Sequence, residues 1–389
     1  MDFNLSTEQS MIYEYGAKLA SKFDSKYFLE NARAHRFPKE LWKQIGDDGF
    51  LGTIVDPEHG GAGQGLMEFT LLVEGMANNG LPLFMMIPGP GMIMHVISKM
   101  GNESQRALLP AACAGDINFC ACITEANAGS NTMRTATVAR PNGNKGWLIN
   151  GSKTWITGVD VSDYAMVVTR TTALGEVKRK TDGFTIFLVD LKKKGISFNP
   201  ISLGVVVPEL QFTVFFDDVE VGPEDVIGEV DRGADVLFNE LDTERIAIAG
   251  ITAGLGRYAI GRAAAYSSDR VVFNAPIGSH QAVQHPLAAA KVQIEMASLL
   301  TRQAAWKYDQ GVEMRTVGQI GNMAKYASAE ACVQAVEASL MAHGGNGFTQ
   351  EYGIYDYYSI ARAFRTIPIN RDLLLSFIGE HVLEMPRSY

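Results

Sequence analysis

Cysteine is scarce. The 389 residues hold four, Cys113, Cys120, Cys122 and Cys332, too few for a disulfide framework in a chain this size. Reduced thiols in a cytoplasmic setting are the expectation. Cys120 and Cys122 stand two apart with no second ligand pair nearby, so no metal site is expected. Basic residues are outnumbered, 34 Lys and Arg against 43 Asp and Glu, for a net charge of −9. That argues against nucleic acid as the main ligand, and an anionic substrate would need a local basic site. Long apolar runs are missing too. The most apolar stretch, Leu81 to Ile97, is interrupted by Pro82, Pro88, Gly89, Pro90 and Gly91, which suits a buried, kinked segment and not a membrane span. The opening MDFNLSTEQSMIYEYGAKLA has early acids and no apolar core, so it does not read as a secretory leader. The remaining composition, 47% apolar and 20% charged, is that of an ordinary globular protein long enough for two or three domains.

The hydrophobic period changes twice. Residues 6–23 read as a helix opened by a capping box, Ser6-x-x-Gln9, with Met11, Ile12, Tyr15, Leu19 and Phe23 at helical spacing. Pro38 opens a second helix, and residues 66–79 and 101–115 read as helices on either side of the kinked segment. From about 116 the period becomes two, with strands expected over Tyr164–Arg170, Phe184–Asp190 and Leu210–Phe216. Lys178-Arg179-Lys180 reads as a solvated turn. From about 234 the helical period returns with little proline, in four tracts, 236–268, 281–310, 316–345 and 355–384. The expected fold is α+β and multidomain: an N-terminal helical domain over 1–115, a middle antiparallel β-domain over 116–232, and a C-terminal four-helix bundle over 233–389.

The informative stretch runs from Cys120 to Gly158. Apolar residues lead through Thr124-Glu125 into Ala126-Asn127-Ala128-Gly129-Ser130-Asn131, a loop offering hydroxyls and backbone N–H groups with little bulk, suited to a flat, phosphate-bearing ligand. WLINGSKTWITG follows, with Asn150-Gly151 read as a hairpin turn. Trp155 and Thr157 are expected on one strand face, an aromatic wall with a hydroxyl beside it. A core strand with a solvated loop has the same local pattern.

Together the two pieces resemble the acyl-CoA dehydrogenase family, which carries a V-T-E-P-G-A-G-S-D-like loop and, some twenty residues on, N-G-x-K-x-W-I-T. The order of α, β and α-bundle regions is similar from end to end. The resemblance implies FAD as cofactor and α,β-desaturation of an acyl-CoA thioester: a carboxylate takes the α-proton and the β-hydrogen leaves as hydride to flavin N5. It also implies electron transfer to an electron-transferring flavoprotein and a tetramer.

Most members place the base in a Y-E-G-T-x-E-like run near the end. Aligned without gaps, that position falls on Pro368, which has neither a carboxylate nor an N–H. Isovaleryl- and long-chain-type dehydrogenases and crotonobetainyl-CoA reductase place it in an F/L-D-x-E-R run, present here as Leu241-Asp242-Thr243-Glu244-Arg245. The resemblance therefore makes Glu244 the base, with Ser130, Asp242 and Arg245 toward the substrate. An exposed Glu and Arg near a helix start are the plainer reading. By the same resemblance Thr124, Gly129, Ser130, Trp155 and Thr157 face the flavin. Arg270, Phe273, His280, Gln281 and Gly345 face the nucleotide end of a neighbour's FAD. Asn274 replaces a Gly, Met341 a Gln and Asn370 a Thr. Those departures leave three readings: a working dehydrogenase, alone or as the partner of a related subunit in a mixed tetramer; an enoyl-CoA reductase of the same fold; and a catalytically silent subunit. The apolar 81–97 segment would allow a bulky or branched acyl group.

Overall fold

The computed structural model describes residues 4–387, apart from the Asn239 side chain. Residues 1–3 of the opening stretch lie outside the described residues. The N-terminal region is helical: α1 (Thr7–Ala20), α2 (Ser25–Arg33), α3 (Lys39–Asp47), α4 (Leu66–Asn78), α5 (Met94–Met100), α6 (Glu103–Arg106) and α7 (Leu109–Cys113). The capping box is present, with Ser6 Oγ accepting from the Gln9 N–H and Gln9 Oε1 from the Ser6 N–H, each at 3.1 Å. Met11, counted on the apolar face, is 67% exposed, so spacing overreached there. The single helix expected over 101–115 is two short pieces, because Asn102 caps one and Pro110 restarts the other. Between α4 and α5 the kinked segment is a 3₁₀ turn at Phe84–Met86 and a π-helical turn at Gly89–Ile93, buried almost throughout.

The middle region is one eight-stranded sheet: β1 (Phe119–Cys122), β2 (Val138–Pro141), β3 (Trp147–Thr157), β4 (Tyr164–Arg170), β5 (Phe184–Asp190), β6 (Ile196–Ile201), β7 (Gln211–Val221) and β8 (Val226–Ile227). Most pairs are antiparallel as expected, but β1 and β2 both run parallel to β4. Asn150-Gly151 is not a hairpin turn. It lies inside β3, where the register with β7 slips between Ile149 and Gly151. The turn into β3 is at Asn142–Gly146, closed by the Asn142 N–H on the Gly146 carbonyl at 2.8 Å. Gly151 has φ 146°, and a Cβ there would come within 2.6 Å of Thr137 Oγ1. The glycine therefore serves a bulge and a close approach, the other use of Asn-Gly in a strand.

The C-terminal region has α8 (Gly233–Asp269), a two-stranded ribbon of β9 (Val271–Val272) and β10 (Ala275–Pro276), α9 (Gln281–Asp309), α10 (Met314–His343), α11 (Ile354–Ala363) and α12 (Arg371–His381). Three tracts are the long helices expected. The fourth is not one helix. A strap of seven residues, 364–370, separates α11 from α12. Pro368 cannot continue a helix, and Asn370 Oδ1 caps the next one by accepting from the Leu373 N–H at 2.8 Å.

Helix α4 lies between α1 and α8. The approach is so close that a Cβ on Gly16 or Gly75 would collide with the backbone of the facing helix. Glu74, fully buried, joins Arg257 of α8 and, at 2.9 Å, Ser298 of α9. No helix among the described residues is long and apolar enough to cross a membrane. Gly75→Ala is expected to cost about 1–3 kcal/mol by forcing α1 and α4 apart; denaturant unfolding checks it, and an unchanged midpoint would contradict the packing account.

Candidate active site

The two halves of the Cys120–Gly158 stretch meet through one buried ion pair. Lys153 of β3, wholly buried, donates to Glu125 Oε1 at 2.9 Å and to the Ile123 carbonyl at 3.0 Å. Glu125, 8% exposed, also accepts from the Ala136 N–H at 2.7 Å and the Thr137 N–H at 2.9 Å. Burial pushes this carboxyl up, but Lys153 and the backbone donors outweigh it and hold it below the usual range. The Thr154 N–H closes the base on the Thr124 carbonyl at 2.9 Å. The loop is thus pinned at its root while Gly129, Ser130 and Asn131 stand exposed at its tip.

Trp155 sits at a second bulge, where the β3–β7 register slips between Lys153 and Ile156. Its φ is +61° and its side chain is 56% exposed. Simple alternation with Thr157 does not run through this bulge. A bulky residue held at positive φ in a strand marks a site that the surroundings over-determine. Thr157 Oγ1 accepts from Gln211 Nε2 at 2.8 Å, which leaves its own proton free for a ligand acceptor.

On α8, Arg245 donates to Asp242 Oδ1 at 2.7 Å. The Glu244 carboxyl is half-buried, and desolvation pushes it up to about 7 against the opposing pull of Arg245 and Lys325. Pro368 is exposed on the strap, so the strap offers no carboxylate. Asn370 Nδ2 donates to Ser130 Oγ at 2.7 Å, which ties the strap to the loop tip.

At the other end of α8, Arg270, Phe273, His280, Gln281 and Gly345 are all exposed. Phe273 and Asn274 turn the ribbon at φ +54° and +62°, and Asn tolerates the left-handed position where the family has Gly. Met341 is a surface residue, 74% exposed. Beside Arg270 is a groove of about 380 Å³ lined by Arg262, Tyr266, Asp269, His343, Asn346 and Tyr352. Tyr266 stacks on His343 with ring centres 4.3 Å apart. Burial holds His343 below its usual range. Arginines beside stacked rings suit a nucleotide. Arg270 is 26 residues along from Glu244, about 39 Å of helix.

Three family models cover the chain: acyl-CoA dehydrogenase N-terminal domain over residues 6–116, middle domain over 120–219 and C-terminal domain over 231–383. The chain belongs to the acyl-CoA dehydrogenase family. Similar proteins include the acyl-CoA dehydrogenase FadE12 of Mycobacterium tuberculosis, 37% identical over 99% of this chain and 98% of that one. A 3-(aryl)acrylate reductase of Clostridium sporogenes is 30% identical over 84% of this chain and 85% of that one. Among solved structures, a glutaryl-coenzyme A dehydrogenase in complex with glutaryl-CoA superposes with TM-score 0.90 at 26% identity, covering 100% of this chain and 98% of that one. Butyryl-CoA dehydrogenase of Megasphaera elsdenii shares the fold at TM-score 0.92 and 24% identity, covering 98% of this chain and all of that one.

Members of this family are FAD-dependent oxidoreductases, and the residues present fit that cofactor. The loop tip is open, since a Cβ on Gly129 would meet nothing nearer than Thr124 Cγ2 at 3.9 Å. Hydroxyls at Thr124, Ser130 and Thr157 and the presented indole of Trp155 suit a flat ring with polar edges. The Glu125–Lys153 pair, the Asn370–Ser130 bond, the Tyr266–His343 groove and Lys325 were not singled out from sequence. Glu125 and Lys153 stood inside the quoted motifs, and their 28-residue separation hid the pairing.

Lys153→Met would leave Glu125 buried and unpaired. A loss of about 3–5 kcal/mol is expected, together with flavin released on gel filtration. Wild-type stability and retained yellow colour would refute the anchoring role.

Proposed function

We propose that the chain is an FAD-dependent acyl-CoA dehydrogenase that introduces an α,β double bond, with Glu244 as the base. The observation that carries this reading is the Glu244 carboxyl itself. It sits in the L-D-x-E-R run that holds the base in part of the family, half-buried and with its affinity for a proton raised to about 7. A weakly acidic thioester α-proton calls for such a base. Bound FAD would supply the hydride acceptor. Thr124, Gly129, Ser130, Trp155 and Thr157 would hold its ring, and Ser130, Asp242 and Arg245 the substrate. Asp242 and Arg245 are paired with each other, so they act on the ligand as a unit. Arg270, Phe273, His280, Gln281 and Gly345 would hold the nucleotide end of a second copy's FAD. An electron-transferring flavoprotein would take the electrons.

The reductase direction is the second reading, favoured by the similarity to a 3-(aryl)acrylate reductase. The same groups serve both directions.

Assembly into a tetramer is part of the proposal. Val292, Met296, Leu299 and Trp306 form a stripe on α9, each more than half exposed, at the spacing of one helix face. Met296→Asp should lower the mass seen by light scattering and release flavin; an unchanged mass would exclude this face.

The central test is anaerobic titration with short, branched, long and ring-bearing acyl-CoA thioesters. One of them should bleach the flavin, and Glu244→Gln should slow that step by on the order of 10²–10⁴-fold. Because the base must be ionised, the wild-type rate should rise with pH through about 7. The sign for stability is opposite. The folded chain holds a proton that the unfolded chain gives up near 4.5, so stability falls as pH rises from there through about 7, and Glu244→Gln should be more stable than wild type at pH 8. Normal bleaching by Glu244→Gln would sink the assignment.

A further inference from the structure

Three consecutive residues leading into β7 hold two other parts of the fold. Gln211 Nε2 donates to Thr157 Oγ1 at 2.8 Å, and the Leu210 carbonyl accepts from the Gly158 N–H at 2.9 Å. Glu209, 2% exposed, accepts from the Met85 N–H at 3.0 Å through Oε1. Met85 belongs to the 3₁₀ turn of the kinked segment, and its sulfur leaves no room for a Cβ on Gly158. The end of β3, the start of β7 and the kinked segment therefore close on one point. The C-terminal region reaches the same place. The Val206 N–H donates to Ser359 Oγ of α11 at 3.1 Å, and Phe84 packs on Phe364 of the strap with ring centres 5.2 Å apart.

The second oxygen of Glu209, Oε2, is sealed from solvent and has no hydrogen-bond partner. A full negative charge left in that position is costly, and an uncharged carboxyl there costs far less. The geometry thus calls for a bound proton. Burial pushes the carboxyl up to about 7, backbone groups of Met85, Phe84 and Glu209 itself pull the other way, and no charged side chain acts on it. The turn at Phe84–Met86, the β3 end at 155–158 and the loop residues 203–208 carry no titratable side chain. His35, just past α2, shares with Glu209 the lining of a cavity of about 180 Å³, which exposed Ser202 also lines.

We propose that Glu209 is a positioning residue: its bound proton locks the end of β3 to the kinked segment, and loss of that proton loosens the grip on the flavin. The flavin part rests on the reading of Thr157 as a flavin contact; the lock does not. With the proton on, Met85 is held and the sealed oxygen is uncharged. With the proton given up to solvent, the carboxylate turns to the cavity beside it, where water can reach it. Met85 then loses its acceptor, and Gly158 loses the side chain packed over it. Thr157 stands one residue before Gly158, so its hydroxyl shifts with that release.

Glu209→Gln keeps an acceptor for Met85 and an uncharged group at the sealed position, but cannot ionise. Flavin release after dilution, followed by its fluorescence, is the first readout. In wild type it should quicken as pH rises through about 7, by up to about tenfold per pH unit. Glu209→Gln should release flavin slowly across that range, and Glu209→Ala, with no acceptor, quickly at every pH. Denaturant unfolding reads the lock without flavin. The folded chain keeps a proton that the unfolded chain gives up near 4.5, so Glu209→Gln should gain on wild type from there to about 7 and keep the gain above it. Infrared spectra read the proton itself. In a Glu244→Gln background, which removes the other carboxyl raised to about 7, a protonated-carboxyl stretch should fade through about 7 and be absent once Glu209→Gln is added. A Glu209→Gln release profile with the wild-type pH dependence would overturn the proposal, as would an infrared band unchanged by that substitution. If Glu209→Ala fails to fold, the Gln variant and the infrared band still decide. Should the chain hold no flavin at any pH, the flavin reading fails, and unfolding with infrared still judges the lock.

Discussion

The site depends on the pairing of Glu125 with Lys153. A carboxylate and an ammonium that are both out of water hold only if each lone pair and proton is matched. Lys153 has the Ile123 carbonyl as well as Glu125, and Glu125 has two backbone N–H groups. The pair closes a loop at its root by charge, where a β-hairpin would close it by ladder bonds. Residues 129–131 stay exposed at the tip, with Ser130 bonded to Asn370 of the strap, so small side chains stand open beside that tie. The same lysine anchors β3 two residues before Trp155, at the strand's second register slip. The indole is therefore presented next to a fixed point.

On the proposed roles, the base side follows a different logic. Glu244 rises from a helix, the most rigid kind of support, and not from the strap between α11 and α12. The strap is freed from carrying an acid, and Pro368 is tolerated on it. In exchange the strap is tied at two points, to Lys325 through its carbonyls and to Ser130 through Asn370. The departures at 368 and 370 are thus consistent with each other. A proline that cannot donate and an asparagine that both caps α12 and reaches the loop make a closing element where the resemblance would put a reacting one.

How far could this be read in advance? Element type was legible wherever a pattern was long and uninterrupted. Helices α8, α9 and α10 and strands β4 and β5 stand where the period put them. The capping box at Ser6 and Gln9 was legible because it is local. What failed were places where local chemistry has two uses. Asn150-Gly151 makes a turn in one context and a bulge in another, and the neighbour that decides, Thr137, comes from a different strand. The fourth C-terminal tract kept its helical period on both sides of Pro368, and the break shows only when Asn370 is seen as a cap. Candidate residues held within one motif were easier than contacts between motifs. Glu125 with Lys153, Asn370 with Ser130, and Lys325 with the strap each join segments that only the fold brings near.

The length of α8 constrains the assembly. Glu244 stands in the fourth turn of α8 and Arg270 just past its C-terminal end, about 39 Å of helix apart. On the proposed roles, a flavin ring held near Glu244 cannot have its nucleotide at the same chain's Arg270. On those roles the ribbon with Phe273 at 89% exposure, and the groove with its stacked Tyr266 and His343, would face another copy's cofactor. On the proposed assembly, cofactor retention would fall with dilution as the copies separate. Met341 is exposed, and on the resemblance it stands where a Gln would donate a hydrogen bond, which would make that half of the proposed site more apolar. More of the grip then rests on stacking and on Arg270, and the dependence on a second copy grows accordingly.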